Sequence, residues 1–338
     1  MVETAGLPAV SVFSFSGGRR SHFWCAMAVN SKADPSKPAN ARPLDWLIFS
    51  LVPFFFSTNI IFGRGIIGDV APFITAFLRW TGSTLVMLPF IYADRHAAID
   101  FVHGHVWLWL LLGVLGMGIC GGVVYWSLTY TTAANGTLIY TTSSLFIILF
   151  QWMFSGRHIG LREMIGMAVA FAGVVVIVLR GDPSALLHLD FNIGDFGILV
   201  AAISFAIYSI LLRQPALQRL KPLALFGLIA FSGAVVLLPP AAVEFFTGGA
   251  TPDSATDWWK IAGMVIFASL AAFYCFQQTV RVFGPAQAGV TLYLMPPVSI
   301  VMAIVFLGES FAPYHALGIL LVLGGVVLAT APKRLPKA

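Results

Sequence analysis

Apolar residues in this chain neither alternate nor recur with a surface period; they run. Ten stretches of mostly apolar residues follow one another at 46–63, 71–93, 106–128, 131–154, 160–179, 193–212, 222–243, 259–280, 285–307 and 312–331, with short polar breaks between them. A hydrocarbon core about 30 Å thick needs about 20 such residues in a helix. The pattern therefore predicts an all-α polytopic membrane protein with ten transmembrane helices. Residues 1–45 are polar and rich in Pro and Ser, the makeup of a disordered tail. A short C-terminal tail, expected in the cytoplasm, follows at 332–338. The break at 244–258 is the longest, and none is long enough for a soluble domain.

Composition sharpens this reading. Of 338 residues, 59% are hydrophobic and only 10% charged, against roughly 25% charged in a soluble domain. Mean hydropathy is +0.89. So little charge cannot coat a globule, which excludes a secreted protein, a cytosolic enzyme and a nucleic-acid binder despite a pI near 9.2. The bases border the apolar stretches instead. With the N-terminus in the cytoplasm, fifteen of them, from Arg19 to Lys337, fall inside; only Arg64, Arg180 and Lys260 fall outside, and Arg79 lies within a span. That asymmetry predicts both termini cytoplasmic. Arg19-Arg20 precede no adequate apolar region for an export signal, so the tail reads as cytoplasmic, with Met27 as an alternative start. Cys25, Cys120 and Cys275 form neither a metal spacing nor a disulfide framework.

A shift of 152 residues superposes the two halves without a gap. Ala134 falls on Ala286, Phe154 on Phe306, Gly156 on Gly308, Gly166 on Gly318, and Gly173-Val174-Val175 on Gly325-Val326-Val327. Five helices per repeat is an odd number, so the second repeat is expected upside down relative to the first. Arg157 aligns with Glu309 and Thr129 with Arg281, a divergence that fits opposite membrane faces. Inverted repeats place a transport site near midplane, between the halves. The expected division is a tail at 1–45, a first repeat at 46–180, a second at 193–331 and a C-terminal tail at 332–338.

The segments YWSLTYTTAANGTLIYTTSSLFIILFQWMFSG (125–156) and FQQTVRVFGPAQAGVTLYLMPPVSIVMAIVFLGE (276–309), with FSTNIIFGR (56–64) and PFITAFLRW (72–80), resemble the paired EamA domains of the drug/metabolite transporter superfamily. The resemblance covers about 290 residues and is strongest at Tyr293, Pro296 and the LGE of 307–309. It implies two inverted five-helix halves and efflux of small metabolites or drugs, with amino acids a frequent cargo. Ser144, Arg157 and Thr129 stand where the family often has proline, glutamate and lysine; these departures bear on the substrate and leave the fold intact.

Arg79 is the one charge placed well inside a span, about eight residues or roughly 12 Å along its helix. Such a residue is costly unless it meets carbonyls, carboxylates or water. It reads equally as a contact for a substrate carboxylate, a gate ion pair or a structural tie. Asn59, in the polar interruption Ser57-Thr58-Asn59, must bond either substrate or a neighbouring helix. Tyr125, Trp126 and Tyr130 are expected to face Gln277, Gln278 and Arg281 across the cavity, with lipid-facing or packed aromatics as the plain alternative. The fourth stretch is rich in hydroxyls and amides (Asn135, Thr137, Tyr140 and Thr141 to Ser144), though hydroxyls can also bond back to their own helix. Tyr208 and Tyr293 complete the substrate-binding set. Pro296-Pro297 removes two amide donors in mid-span and predicts a kink.

No catalytic constellation and no metal motif appear, so no enzyme activity, cofactor or metal is expected. The expected function is an exporter of small metabolites in the bacterial inner membrane, working by alternating access. An importer or exchanger of a nucleoside-like or phosphorylated solute is the alternative, and a membrane scaffold a third. The partners are a small-molecule substrate and the lipid bilayer, without nucleic acid; monomer and homodimer both remain open. Acids lie at the margins of the spans, which points to transport driven by the cargo gradient without a carboxylate proton relay.

Overall fold

The computed structural model describes residues 41–66, 68–131, 136, 139–155, 159–179, 181–182, 184, 192–298, 301–302 and 312–330. Among them the chain is helical throughout its regular structure. The main helices are α1 (Pro43–Ile66), α2 (Pro72–Ala93), α3 (Arg95–Gly104), α4 (Val106–Ser127), α5 (Ser143–Ser155), α6 (Leu161–Val178), α7 (Ile193–Leu211), α8 (Pro222–Phe246), α9 (Ala255–Phe283), α10 (Pro285–Val290) and α11 (Pro313–Thr330). Five of these, α2, α4, α7, α8 and α9, are long and apolar enough to cross a membrane. Apart from their end residues, a turn at Thr142 and the 3-10 turn at Thr291–Leu294, the predicted stretches are helical where the chain is described.

The helix starts follow local chemistry. Pro72 and Pro222 open α2 and α8, where a missing N–H costs nothing. Capping boxes open α7 (Asn192 with Asp195) and α9 (Ser254 with Asp257). Leu85, Leu88, Phe90, Leu238 and Phe245 point outward, an apolar exterior suited to lipid.

The most extensive helix pairs are α6 with α11 and α2 with α8. Exchanging the halves of the chain maps the pairing onto itself. The contact of α1 with α9 maps to α7 with α4, and that of α2 with α9 to α8 with α4. In the α6–α11 pair, a Cβ on Gly173 would lie 2.7 Å from the Gly318 carbonyl oxygen, and one on Gly166 2.7 Å from that of Gly325. Numbering rises along one helix as it falls along the other, so the two run antiparallel. The α2–α8 pair closes reciprocally at its ends. Asp94, just past α2, accepts the Lys221 amide at the start of α8 (3.1 Å), and Glu244 of α8 accepts the Ile74 amide at the start of α2 (2.9 Å).

Three features differ from the sequence expectation. The break at 244–258 is shorter, because α8 runs to Phe246 and α9 begins at Ala255. The short helix α3 lies between two spans, with Ala98 and Phe101 packed inward and Ile99 exposed. Two spans also contain wider π-helical turns, Gly113–Val123 in α4 and Met264–Ala271 in α9. The 152-residue shift carries the second onto 112–119, so the two π segments overlap in the repeat. The N-terminal tail before residue 41 and the C-terminal tail lie outside the described residues.

Candidate functional site

Arg79 sits in α2, 2% exposed, and its guanidinium is held on every side by neutral oxygens. Nη1 donates to Asn59 Oδ1 in α1 (3.0 Å) and to the Tyr125 hydroxyl in α4 (2.5 Å). Tyr125 in turn donates to the same Asn59 oxygen at 2.7 Å. Nε donates to Ser269 Oγ (2.5 Å) and Nη2 to the Ala268 carbonyl (2.7 Å), both in the π segment of α9. Trp80, Tyr125 and Phe273 turn ring faces toward the cation at 4.8, 5.9 and 5.9 Å, an added electrostatic attraction. Among the described residues no carboxylate lies within ion-pair reach of it. Within the described residues the group is hydrogen-bonded but not neutralised.

A second polar group lies beside the first. Gln277 Nε2 in α9 donates to the Tyr208 hydroxyl in α7 at 2.8 Å. Tyr140 packs its ring on Phe205 at 5.8 Å, and Tyr208 packs on the same ring at 5.9 Å. Phe273 stands between the two groups, 5.9 Å from the Arg79 carbon and 6.5 Å from the Tyr208 ring. Phe56, Phe205 and Phe276 complete an aromatic wall. Trp80 Nε1, Thr75 Oγ1 and Gln277 Oε1 are buried without a partner, and an unpaired buried polar atom is costly. Thr75 and Tyr125 also line a small recess with Ile66, Val70, Pro72 and Thr129.

The structure thus brings together Asn59, Arg79 and Tyr125, and separately Tyr140, Tyr208 and Gln277. It does not bring together the aromatic and amide pairs expected to face each other. Trp126 packs toward Tyr130 and Gly197, whereas the Gln278 amide reaches Asp45 at the start of α1, 3.5 Å away. Trp126 and Gln278 are equivalent under the 152-residue shift; the first lies beside Gly197 near the start of α7 and the second beside Asp45 at the start of α1. Tyr293 is fully buried with its hydroxyl unpaired, among Ala170, Val174, Ile177, Val322 and Val326 of α6 and α11. It stands apart from the Arg79 group. Before Pro296-Pro297 the chain tightens into a 3-10 turn, Thr291–Leu294. The Met295 amide there bonds the Leu292 carbonyl, the acceptor that Pro296 cannot serve. Ser57 Oγ donates to the Pro53 and Met295 carbonyls, tying α1 to this turn. Asn135, Thr137, Arg157 and Glu309 lie outside the described residues.

Ser269 is the contact that sequence reasoning missed. A lone serine in an apolar run is unremarkable by type, and only the π turn aims it at Arg79. Of the marginal acids, Asp195 accepts from the Asn192 amide and the Thr131 hydroxyl. No cluster of potential metal ligands occurs among the described residues.

The EamA-like transporter family model matches this chain twice, at residues 45–179 and 192–331. The uncharacterized transporter YetK of Bacillus subtilis is 21% identical over 83% of this chain and 85% of its own length. A "probable terminal-alkyne amino-acid exporter" of Streptantibioticus cattleyicolor is 29% identical over 64% of this chain and 71% of its own. The S-adenosylmethionine uptake transporter of Rickettsia felis is 26% identical over 60% and 65%. One solved crystal structure, 19% identical, superposes with a TM-score of 0.67 over 87% of this chain and all of that one, a likeness of fold.

Proposed function

The chain belongs to the EamA-like transporter family, and we propose that it is a secondary transporter exporting small carboxylate-bearing metabolites, amino acids or related compounds, by alternating access. The observation that carries this reading is Arg79: a buried cation, ringed by neutral acceptors and aromatic faces, where helices of both halves meet. An arginine in the membrane is satisfied by carboxylates, backbone carbonyls or water, and the described partners of Arg79 are all neutral oxygens, which leaves its charge unmatched. An unmatched charge in that place favours a cargo that brings a carboxylate. In this reading Asn59, Arg79, Tyr125, Tyr140, Tyr208 and Gln277 line the pocket. Trp126 and Gln278 lie toward its two ends, and Tyr293 with Pro296-Pro297 shapes α10 and the chain that follows. The orphaned Trp80 and Gln277 atoms are then sites for cargo or water.

Ten helices in two inverted repeats, 46–180 and 193–331, form the moving parts. The antiparallel α6–α11 glycine contact and the exchange-symmetric pairing support the inversion. The distribution of bases supports cytoplasmic termini in the bacterial inner membrane. Among the described residues Arg79 is the one buried Lys or Arg, which disfavours a phosphorylated cargo, since that would call for several cations. Asp195 and Glu244 are both engaged in helix-start hydrogen bonds, consistent with transport that follows the cargo gradient. Uphill flux in proteoliposomes that follows an imposed pH gradient would contradict this last point. Flux of radiolabelled amino acids in the same vesicles, lost in Arg79→Gln protein that still inserts, tests the reading as a whole.

A further inference from the structure

The ligands of Arg79 divide by half of the chain and by edge of the guanidinium. Nη1 is held by Asn59 and Tyr125, both from the first half. Nε and Nη2 are held by Ser269 Oγ and the Ala268 carbonyl, neighbours in the second half. Nε–H and Nη2–H form the side of the guanidinium fork that binds a carboxylate with two parallel hydrogen bonds. Two adjacent oxygens of α9 therefore occupy the positions that the two oxygens of a carboxylate would take.

We propose that Ser269, with the Ala268 carbonyl, is an internal stand-in for the cargo carboxylate, and that cargo binds Arg79 by displacing it. The proposal deepens the transport reading above and rests on it. Rocking of the second half against the first would draw Ser269 away from Arg79, while Asn59 and Tyr125, on the first half, would travel with the cation and keep it aimed. The vacated edge leaves two desolvated donors, which is expensive in an apolar surround. A carboxylate offers both oxygens in the right geometry together with the missing negative charge. An uncharged analogue offers one good acceptor and no charge. Ser269 is thus a specificity-determining residue: it sets a threshold that neutral solutes do not clear, and it closes the site when no anion is present. Ala268 and Ser269 are neighbours within the π segment, and a backbone carbonyl has a second lone pair with which to accept from Nη2.

The test uses the full chain in detergent, with benzoate as the carboxylate probe and benzamide as its neutral counterpart. Binding is read by the fluorescence of the indoles, of which Trp80 lies beside the cation. Wild type should bind benzoate and not benzamide. Ser269→Ala, which removes the competing oxygen, should bind benzoate about tenfold more tightly, as loss of one charge-assisted internal hydrogen bond implies. Ser269→Thr, which restores a hydroxyl, should return the affinity to that of wild type. Unchanged or weakened benzoate binding in Ser269→Ala, alongside its loss in Arg79→Gln, would overturn the stand-in role and leave Arg79 as the cargo site. Benzoate binding that survives Arg79→Gln would overturn the transport reading on which the inference rests.

Discussion

Gly166 and Gly325 meet backbone to backbone. A Cβ on Gly325 would lie 2.5 Å from the Gly166 carbonyl oxygen and 2.3 Å from the Ala170 amide nitrogen, while one on Gly166 would lie 2.7 Å from the Gly325 oxygen. Without a hydrophobic drive between helices in lipid, such close approach is what holds them together. The Gly173–Gly318 contact repeats it, with each residue exchanged for its equivalent in the other half. This crossing fixes α6 against α11 at two points.

Gly325→Val should therefore separate the two helices and destabilise the fold by about 1–3 kcal/mol, the usual range for overpacking. Gly324→Val, whose Cβ would meet nothing within 4 Å, should be tolerated. Thermal unfolding of the purified variants in detergent measures both, and equal melting temperatures would contradict the close crossing.

The reciprocal carboxylates at the ends of α2 and α8 predict paired effects. Asp94→Ala and Glu244→Ala each remove an acceptor from a helix start and should each cost about 0.5–2 kcal/mol. The sites lie at opposite ends of the helix pair, so the double variant should show additive loss. A double-mutant cycle with strong coupling would show that the two caps are not independent.

Tyr125→Phe removes one of the two acceptors on Nη1 and the donor to Asn59. It should reduce carboxylate transport about tenfold or more, by the worth of a hydrogen bond to a charged group, with membrane abundance unchanged. Tyr293→Phe loses a hydroxyl that bonds nothing and should transport as wild type does. Vesicle flux normalised to inserted protein compares the two. Parallel losses of flux would place Tyr293 in the pocket after all.

A C-terminal reporter active only in the periplasm should be silent, and a cytoplasmic fluorescent fusion bright, if the base count sets orientation. An active periplasmic fusion would contradict both orientation and helix count.

Long apolar runs made the helices legible from the sequence, and the spacing of glycines made the duplication legible. Arg79 and Asn59 stood out because charge and amide are conspicuous within a span, and they are bonded to each other. The partners across the bundle were not legible. Repeat equivalence suggested that Trp126 and Gln278 share a wall, but Trp126 lies beside Gly197 of α7 and Gln278 beside Asp45 of α1. The π segments carry no residue signature beyond a glycine-rich run in α4, so the aim of Ser269 at Arg79 could not be read from its position. Tyr293 looked like a pocket residue by type, yet helix rotation turns it into the α6–α11 interface.

In the proposed transport cycle Arg79 receives the carboxylate of the solute. Efflux from preloaded proteoliposomes, comparing a radiolabelled amino acid with its carboxamide in wild-type and Arg79→Lys protein, tests this role most directly. Wild type should release the amino acid and not the amide, if Arg79 binds the carboxylate. The rate should be reduced in Arg79→Lys, which keeps the charge and loses the fork. Equal efflux of acid and amide, or an undiminished rate in correctly inserted Arg79→Lys, would contradict it.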